Sequence, residues 1–335
     1  MFTVKMSNPV LDFPLERQTP ERSSRWGDYE FIINQDMKEC DFWIVGEGIR
    51  KEEMCRCPPD RTFFITGEPP SVRRYNPIFL HQFSTVLTCH RNIVHRNVIH
   101  CHPGLPWYIG MRWSKEGKCW LKGDSKDYDE LKAMRSVTKD RQVSIITSDK
   151  VITKGHQKRL TFVRRLEKEF GNDLDVFITS NMGLEDKWDA IGRYRYHLSI
   201  ENSIFKDYWT EKVADAFLGL SFPFYHGCPN LRDYFPANSF QAIDIDDFDG
   251  TVHAIRHAMD TDLYSSSIEP LQEAKVRMLD EHNVFPMLAK LFRELGPGKG
   301  EQEIRVRPEL VVPRNLNPVT SGLSMLKKAF QRRVA

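Results

Sequence analysis

Alternating strand-like and helix-like segments in the second half of the chain constrain its fold more than any other feature. Short apolar runs at 143–147 (VSIIT) and 174–178 (LDVFI) are separated by a helical pattern at 158–170. Further strand patterns follow at 221–225 and 241–245. Strands that alternate with helices in this way are typical of a parallel sheet covered by helices on both faces. We therefore predict a doubly wound α/β domain here.

A second, less regular α/β domain is predicted before it. Apolar runs at 41–45 (DFWIV) and 62–66 (TFFIT) are each followed by a loop, and 335 residues suffice for two domains with separate cores. The charged stretch 114–140 is the predicted connector. The predicted boundaries are listed here: an N-terminal domain at 1–140, a C-terminal domain at 141–300 and a tail at 301–335.

The segment 194–212, YRYHLSIENSIFKDYWTEK, joins a strand, a polar loop and the start of a helix. Apolar and polar residues alternate at its beginning, which predicts a strand. Thr210 is placed to cap a helix whose free N–H groups and positive dipole end, together with Lys212, suit a phosphate. Glu211 can accept hydrogen bonds from sugar hydroxyls. The alternative is that Glu211 and Lys212 are ordinary solvated charges.

Composition narrows the class of protein. Forty-eight basic and 46 acidic residues give a net charge of +2, which offers no electrostatic basis for binding nucleic acid. The N-terminus lacks the apolar run of a signal peptide, and no stretch approaches a membrane span. Seven scattered cysteines, an odd number, fit reduced thiols better than a disulfide framework. We expect a soluble, cytoplasmic protein.

Several motifs carry a resemblance to a known family. ENS, four residues, YWTEK, then AFLGLSFPFYHGCPN and FPANSF occur in that order between residues 201 and 240. In this order they resemble the donor-binding region of the alpha-1,3/4-fucosyltransferases, glycosyltransferase family ten, and the chain looks like a bacterial-type soluble member. The resemblance implies a GT-B fold with an N-terminal acceptor-side domain and a C-terminal donor domain. It also implies GDP-fucose as donor, a glycan as acceptor, inversion of configuration, an alpha-1,3 type linkage and no metal requirement.

The resemblance assigns residues to the donor site. Arg159 and Lys212 match the arginine and lysine that lie against the pyrophosphate, and Glu211 matches the acidic residue that holds donor hydroxyls. Asn202 and Tyr208 match donor contacts, although a turn and half-buried packing are the structural alternatives. Arg195, which stands where lysine is usual in the family, is also assigned to the donor site. The chain departs from the family at three further positions: Ile200 stands where phenylalanine is usual, and Phe222 and Phe224 stand where smaller aliphatics are usual. The departures at Arg195, Phe222 and Phe224 keep another nucleotide sugar open as donor.

Glu68 is the predicted catalytic base. It follows the run at 62–66, so it lies at the carboxyl end of a strand, where open α/β sheets bind ligands. An inverting transfer needs one carboxylate near the attacking hydroxyl, and TGE resembles the family segment that carries the proposed base. A solvated loop glutamate is the alternative. Trp107 and Tyr108 are predicted on the acceptor side, where their rings can stack on sugars.

Two segments raise the question of a metal. The block 89–102 contains two cysteines and four histidines, but its spacing fits no common zinc motif. An acceptor-side loop or local packing is the preferred interpretation. Asp244, Asp246 and Asp247 precede a helix pattern at 250–259, so we interpret them as capping residues.

The end of the chain predicts a basic amphipathic helix at 323–335, with apolar residues on one side and four basic residues largely on the other. Such a helix can lie on an anionic membrane surface, which suits a peripheral enzyme with a lipid-linked acceptor, or pack across the two domains. The functional hypothesis is a fucosyltransferase. The alternatives are a transferase of the same fold that uses another nucleotide sugar, and a non-catalytic nucleotide- or glycan-binding protein.

Overall fold

The computed structural model describes residues 1–10, 13–114, 116–117, 119–148, 154–178 and 184–309. None of the helices in these ranges combines the length and hydropathy that crossing a bilayer requires. The amphipathic helix predicted at 323–335 lies outside the described residues. That helix and its contact with a membrane surface therefore stay predictions.

The N-terminal domain is built on a largely parallel sheet. Its strands and first helix are listed here: β1 (Phe2–Ser7), β2 (Arg25–Trp26), β3 (Tyr29–Ile33), β4 (Phe42–Gly46), β5 (Glu53–Cys57), β6 (Thr62–Ile65), α1 (Pro77–Leu80), β7 (Thr85–Thr88) and β8 (Val98–His100). Among the described residues, seven strands pair in the order β2-β3-β1-β4-β6-β7-β8, and only the β2–β3 pairing is antiparallel. Every residue of β4 and β6 is buried, as expected for central strands of a sheet covered on both faces.

The C-terminal domain contains a second parallel sheet. The elements of this part of the chain begin with a hairpin and a short helix and are listed here: β9 (Met111–Ser114), β10 (Cys119–Ser125), α2 (Tyr128–Ala133), β11 (Arg141–Thr147), α3 (Lys154–Phe170), β12 (Leu174–Ile178), α4 (Trp188–Ile191), β13 (Tyr194–Ile200), α5 (Glu211–Leu218), β14 (Phe222–His226), β15 (Gln241–Ala242), α6 (Phe248–Asp260), α7 (Leu263–Ser266), α8 (Ile268–Asp280) and α9 (Val284–Leu295). In the part of the chain that the structure describes, five strands pair in parallel in the order β12-β11-β13-β14-β15. The alternation predicted from the sequence is confirmed, although β15 is shorter than predicted.

Local signals set several of the observed boundaries. The Thr210 side chain accepts a hydrogen bond from the Lys212 N–H and caps α5, as predicted. Asp247 caps α6 by accepting from the Gly250 N–H at 2.9 Å, which confirms its interpretation as a capping residue. Asn283 caps α9, so Pro286 falls in the first turn, where a missing N–H costs little.

The end of the described chain returns to the N-terminal domain. Helix α9 packs under the first sheet, where the Phe292 ring stacks on Phe42 with centroids 4.3 Å apart. Strand β16 (Gln302–Val306) then pairs antiparallel with β5. The predicted domain boundaries place α9 in the C-terminal domain and β16 in the tail. Packing instead assigns both elements to the N-terminal domain, because the apolar face of α9 finds its partners there.

The two sheets point their carboxyl ends at one cleft. Residues that follow β4 and β6 line a cavity together with residues that follow β11 and β13. Two Rossmann-like domains that face a central cleft constitute the GT-B arrangement, which confirms the predicted fold class.

Candidate active site

The cleft holds two adjoining cavities. The larger, about 800 Å³, is lined by both domains and reaches Glu68 from one side and Lys212 from the other. The smaller, about 240 Å³, lies within the C-terminal domain. Five residues line both cavities: Ser148, Lys187, Asn202, Glu211 and Lys212. The structure thus brings together most of the residues that the sequence nominated.

Lys212 lies in the first turn of α5 and is enclosed by acidic groups. Its ammonium is 3.3 Å from a carboxylate oxygen of Glu201 and 3.3 Å from one of Glu211. Burial alone would lower the pKa of Lys212, but these two carboxylates more than offset it and raise the pKa above its ordinary value. Lys212 is therefore a permanent cation in the lining of both cavities.

Arg159, in α3, is the second cation of this cavity. Its guanidinium donates to the side-chain oxygen of Asn202, while its Nε is buried without a hydrogen-bond partner among the described residues. Burial lowers the pKa of Arg159, and Glu201 and Glu211 counteract this, so the group stays charged. A buried guanidinium N–H without a partner is unfavourable unless a ligand or water accepts from it.

Glu201 is a site residue that the sequence analysis did not single out. Its side chain is fully buried and accepts from the Thr210 N–H at 2.9 Å and from the Thr210 hydroxyl at 2.8 Å. It thereby joins the end of β13 to the first turn of α5 and fixes Lys212. The sequence did contain a signal for a site residue here, because Glu201 is the first residue of the ENS motif and lies at the carboxyl end of a strand.

Glu211 is held by two lysines. Its carboxylate lies 3.3 Å from Lys212 and 3.8 Å from Lys187. Burial alone would raise the pKa of Glu211, but the two lysines outweigh it and lower the pKa to about 2. Lys187 also pairs with Asp215 at 2.7 Å. Glu211 is therefore an ionised acceptor directed at both cavities, a geometry suited to donor hydroxyls.

Tyr208 lines the larger cavity and is otherwise buried. Burial raises the pKa of its phenol, and Glu201 and Glu211 raise it further, so the hydroxyl stays neutral and able to donate. Tyr108 lines the same cavity, with its backbone N–H held by Asp215 at 2.9 Å.

Two predicted site residues lie elsewhere. Arg195 stands near the amino end of β13, where it pairs with Asp262 at 2.7 Å, and it lines neither cavity. Trp107 is fully buried in the core of the C-terminal domain. Its ring face cannot reach a sugar, so we withdraw it from the acceptor side. Both corrections arise from strand geometry and packing, which residue type alone does not reveal.

Glu68 lies at the end of β6, exposed to the cleft and opposite Lys212. Partial loss of solvation raises the pKa of its carboxyl, the nearby Glu47 raises it further, and Lys212 lowers it. The backbone N–H of Glu68 donates to Glu47 Oε1 at 3.2 Å, and its carbonyl accepts from His90 Nε2 at 2.8 Å. A carboxylate with a raised pKa in a ligand-sized cleft is a reasonable general base.

Glu47 was also missed. It follows β4 with a positive φ of 62°, which is uncommon for a residue other than glycine. Its Oε1 accepts from the Gly67 N–H and the Tyr75 hydroxyl, and its Oε2 lies 3.0 Å from Arg73. Glu47 therefore fixes the loop that carries Glu68.

Part of the cysteine- and histidine-rich block is used in packing, whereas His100 is exposed. Cys89 and His90 are buried, and the His102 ring stacks on Trp209 with centroids 4.4 Å apart. Within the described residues, no group of three or more His, Cys, Asp or Glu side chains is arranged to hold a metal ion.

Comparison with known proteins identifies the C-terminal domain. Residues 137–266 match the family model described as "Glycosyltransferase family 10 (fucosyltransferase) C-term". This part of the chain belongs to glycosyltransferase family 10. The match includes both cations, Arg159 and Lys212, and the strand–loop–helix segment between β13 and α5.

Curated fucosyltransferases share a short stretch with this chain. The 4-galactosyl-N-acetylglucosaminide 3-alpha-L-fucosyltransferase 9 of Mus musculus is 39% identical over 75 residues, and that of Homo sapiens is 38% identical over 75 residues. These matches span 22% of this chain and only 20% of each relative. A crystal structure of an alpha1,3-fucosyltransferase aligns with 88% of this chain and 90% of its own, with 15% identity and a TM-score of 0.50. This likeness shows the fold.

Proposed function

We propose that the chain is an inverting fucosyltransferase that transfers L-fucose from GDP-fucose to a hydroxyl of a glycan, in an alpha-1,3 type linkage and without a metal ion. The observation that carries the proposal is the meeting of Arg159 and Lys212 in the small cavity, opposite Glu68 on the other domain. Membership of residues 137–266 in glycosyltransferase family 10 supports the donor sugar.

The donor diphosphate would lie against the two cations. When the bond between the anomeric carbon and the phosphate oxygen breaks, negative charge grows on the leaving diphosphate. Arg159 offers an unpaired buried N–H, and Lys212 offers an ammonium fixed by Glu201. These fixed charges supply the stabilisation that a metal ion provides in other transferases. Asn202, Tyr208 and Glu211 would hold the nucleotide sugar by hydrogen bonds.

The acceptor would enter from the N-terminal domain. Glu68 removes the proton of the attacking hydroxyl while that oxygen bonds to the anomeric carbon and GDP departs from the opposite face. Attack from the face opposite the leaving group inverts the configuration. The raised pKa of Glu68 makes its carboxylate a stronger base than an ordinary glutamate.

The first test is calorimetric titration with GDP-fucose, GDP-mannose and UDP-galactose in the presence of a chelator, on the wild type and on Lys212→Ala. The proposal expects selective binding of GDP-fucose that survives chelation. Loss of the Lys212 charge should weaken binding by about 2–5 kcal/mol, because it leaves Glu201 and Glu211 buried beside the diphosphate. An Arg195→Ala variant, remote from both cavities, is the matched control and should bind normally.

The alternatives give different results. If the protein prefers GDP-mannose or UDP-galactose, the assignment of the fold stands and the proposed donor is wrong. Binding of GDP-fucose without turnover on any glycan, soluble or lipid-linked, would indicate a binding protein. Glu68→Gln should keep donor affinity and reduce transfer by roughly 10²–10⁴-fold, the usual contribution of a general base.

A further inference from the structure

The hairpin β9–β10 contributes two tryptophans to the lining of the large cavity. Trp113 and Trp120 are directly opposite each other in its antiparallel ladder, so their side chains share one face. Both line the cavity, and both are partly exposed. Their rings contact edge to face, with centroids 4.9 Å apart.

The hairpin is fixed from both domains. Behind Trp120, the buried Phe13 contacts it with centroids 5.8 Å apart, and Tyr108 lies at the same distance beside it. The backbone N–H of Trp113 donates to the carbonyl of Glu185 at 2.8 Å. The two indoles are therefore held in place without being buried. Partly exposed tryptophans that are rigid and face a cleft are characteristic of binding sites.

The position of the indoles defines what they can bind. They line the same cavity as Glu68 and Glu211, so a molecule that rests on them shares this space with the candidate base and the donor site. Pyranose rings present C–H groups on one face, which pack on aromatic rings, and hydroxyls at their edge. Three carboxylates (Glu47, Glu68 and Glu211) and two ammonium groups (Lys187 and Lys212) line the same space, and this excess of negative charge disfavours an anionic sugar.

From this geometry we propose that Trp113 and Trp120 form the platform that binds the acceptor, a neutral sugar that stacks its apolar face on the indoles and turns a hydroxyl to Glu68. This inference rests on the proposed function. It replaces Trp107, the tryptophan nominated from the sequence, with two that the cleft exposes.

The test measures transfer from GDP-fucose to glycans that end in galactose, N-acetylglucosamine, mannose or sialic acid. Trp113→Ala and Trp120→Ala should each raise the KM for the preferred neutral acceptor about tenfold or more, since 1.4 kcal/mol of lost binding corresponds to a factor of ten. The affinity for GDP, measured by calorimetry, should be unchanged. Trp113→Phe and Trp120→Phe keep an aromatic face and should recover much of the loss.

Leu121→Ala is the matched control, because Leu121 neighbours Trp120 on β10, pairs with Arg112 and is 41% exposed away from the cavity. If the wild type is active and the acceptor KM is unchanged in both Trp113→Ala and Trp120→Ala, the platform is rejected while the proposed function stands. A preference for sialylated acceptors would reject the neutral class. If the wild type transfers fucose to none of the glycans, the proposed function fails, and the platform fails with it.

Discussion

At the scale of single residues, two glutamates that follow neighbouring strands have different roles. Strands β4 and β6 are adjacent and parallel, and each is followed by a glutamate, Glu47 and Glu68. Glu68 is exposed to the cleft, whereas Glu47 accepts hydrogen bonds from the backbone of the loop that carries Glu68. One carboxylate is therefore available for proton transfer because the other supports its backbone.

This arrangement predicts a pH effect. The charged groups that act on Glu68 are Glu47, Lys212, Glu211 and Arg73, and partial burial together with Glu47 raises its pKa. A base acts when deprotonated, so kcat/KM should rise with pH through this raised pKa. Glu47→Gln keeps an oxygen acceptor for the loop but removes a like charge. The acidic limb of the pH profile should therefore shift to lower pH. An unchanged limb, or a shift to higher pH, would contradict this role of Glu47.

At the scale of elements, the junction of β13 and α5 builds the cationic site. Strand β13 is buried along most of its length, and its last residue is followed by Glu201. Thr210 caps α5 and donates its hydroxyl to Glu201. The helix start is thus attached to the strand end by a buried carboxylate, and the position of Lys212 depends on that attachment.

Removal of this carboxylate should be costly. Glu201→Ala leaves the Thr210 N–H and the Lys212 ammonium without their buried partner, and we expect a loss of about 3–5 kcal/mol in the free energy of unfolding. Urea denaturation measures it. Glu273→Ala, which breaks an exposed pair with Arg277 on α8, should cost only about 0.5 kcal/mol. Equal losses in the two variants would show that Glu201 does not anchor α5.

At the scale of the whole molecule, the domains share packed side chains beside the cleft. His102 follows the last strand of the first sheet and stacks on Trp209, which precedes α5 in the second domain. His102 Nδ1 accepts from the Gly104 N–H at 3.1 Å, so the ring is neutral. Burial lowers the pKa of His102 to about 3.

Because His102 is buried, the free energy of unfolding depends on pH in the acidic range. In the unfolded chain His102 takes up a proton near pH 6.5, whereas in the folded protein it does so only near about 3. The contribution of the neutral His102 ring to the free energy of unfolding is therefore fully present above pH 6.5. It is lost as the pH falls toward about 3, by up to about 1.4 kcal/mol per pH unit. His102→Phe should flatten this slope in urea titrations, while the exposed His253→Phe should not. Identical slopes in both variants would contradict the assignment.

The sequence by itself determined the local features. It predicted the five strands of the second sheet, helices α3 and α6, the Thr210 cap and the cationic helix start, because backbone propensity, side-chain periodicity and capping act within a few residues of the chain. The motifs between 201 and 240 also indicated the family, which the family model confirmed for residues 137–266.

Only the tertiary structure decided which distant residues meet. Helix α9 packs under the first sheet because its aromatic face fits there, and no local signal specifies that partner. The buried position of Trp107, the exposure of Trp113 and Trp120, and the support of Glu68 by Glu47 likewise depend on strand order and register. Residue type indicates what a side chain can do, but its burial and its neighbours, which come from long-range packing, decide whether it does so.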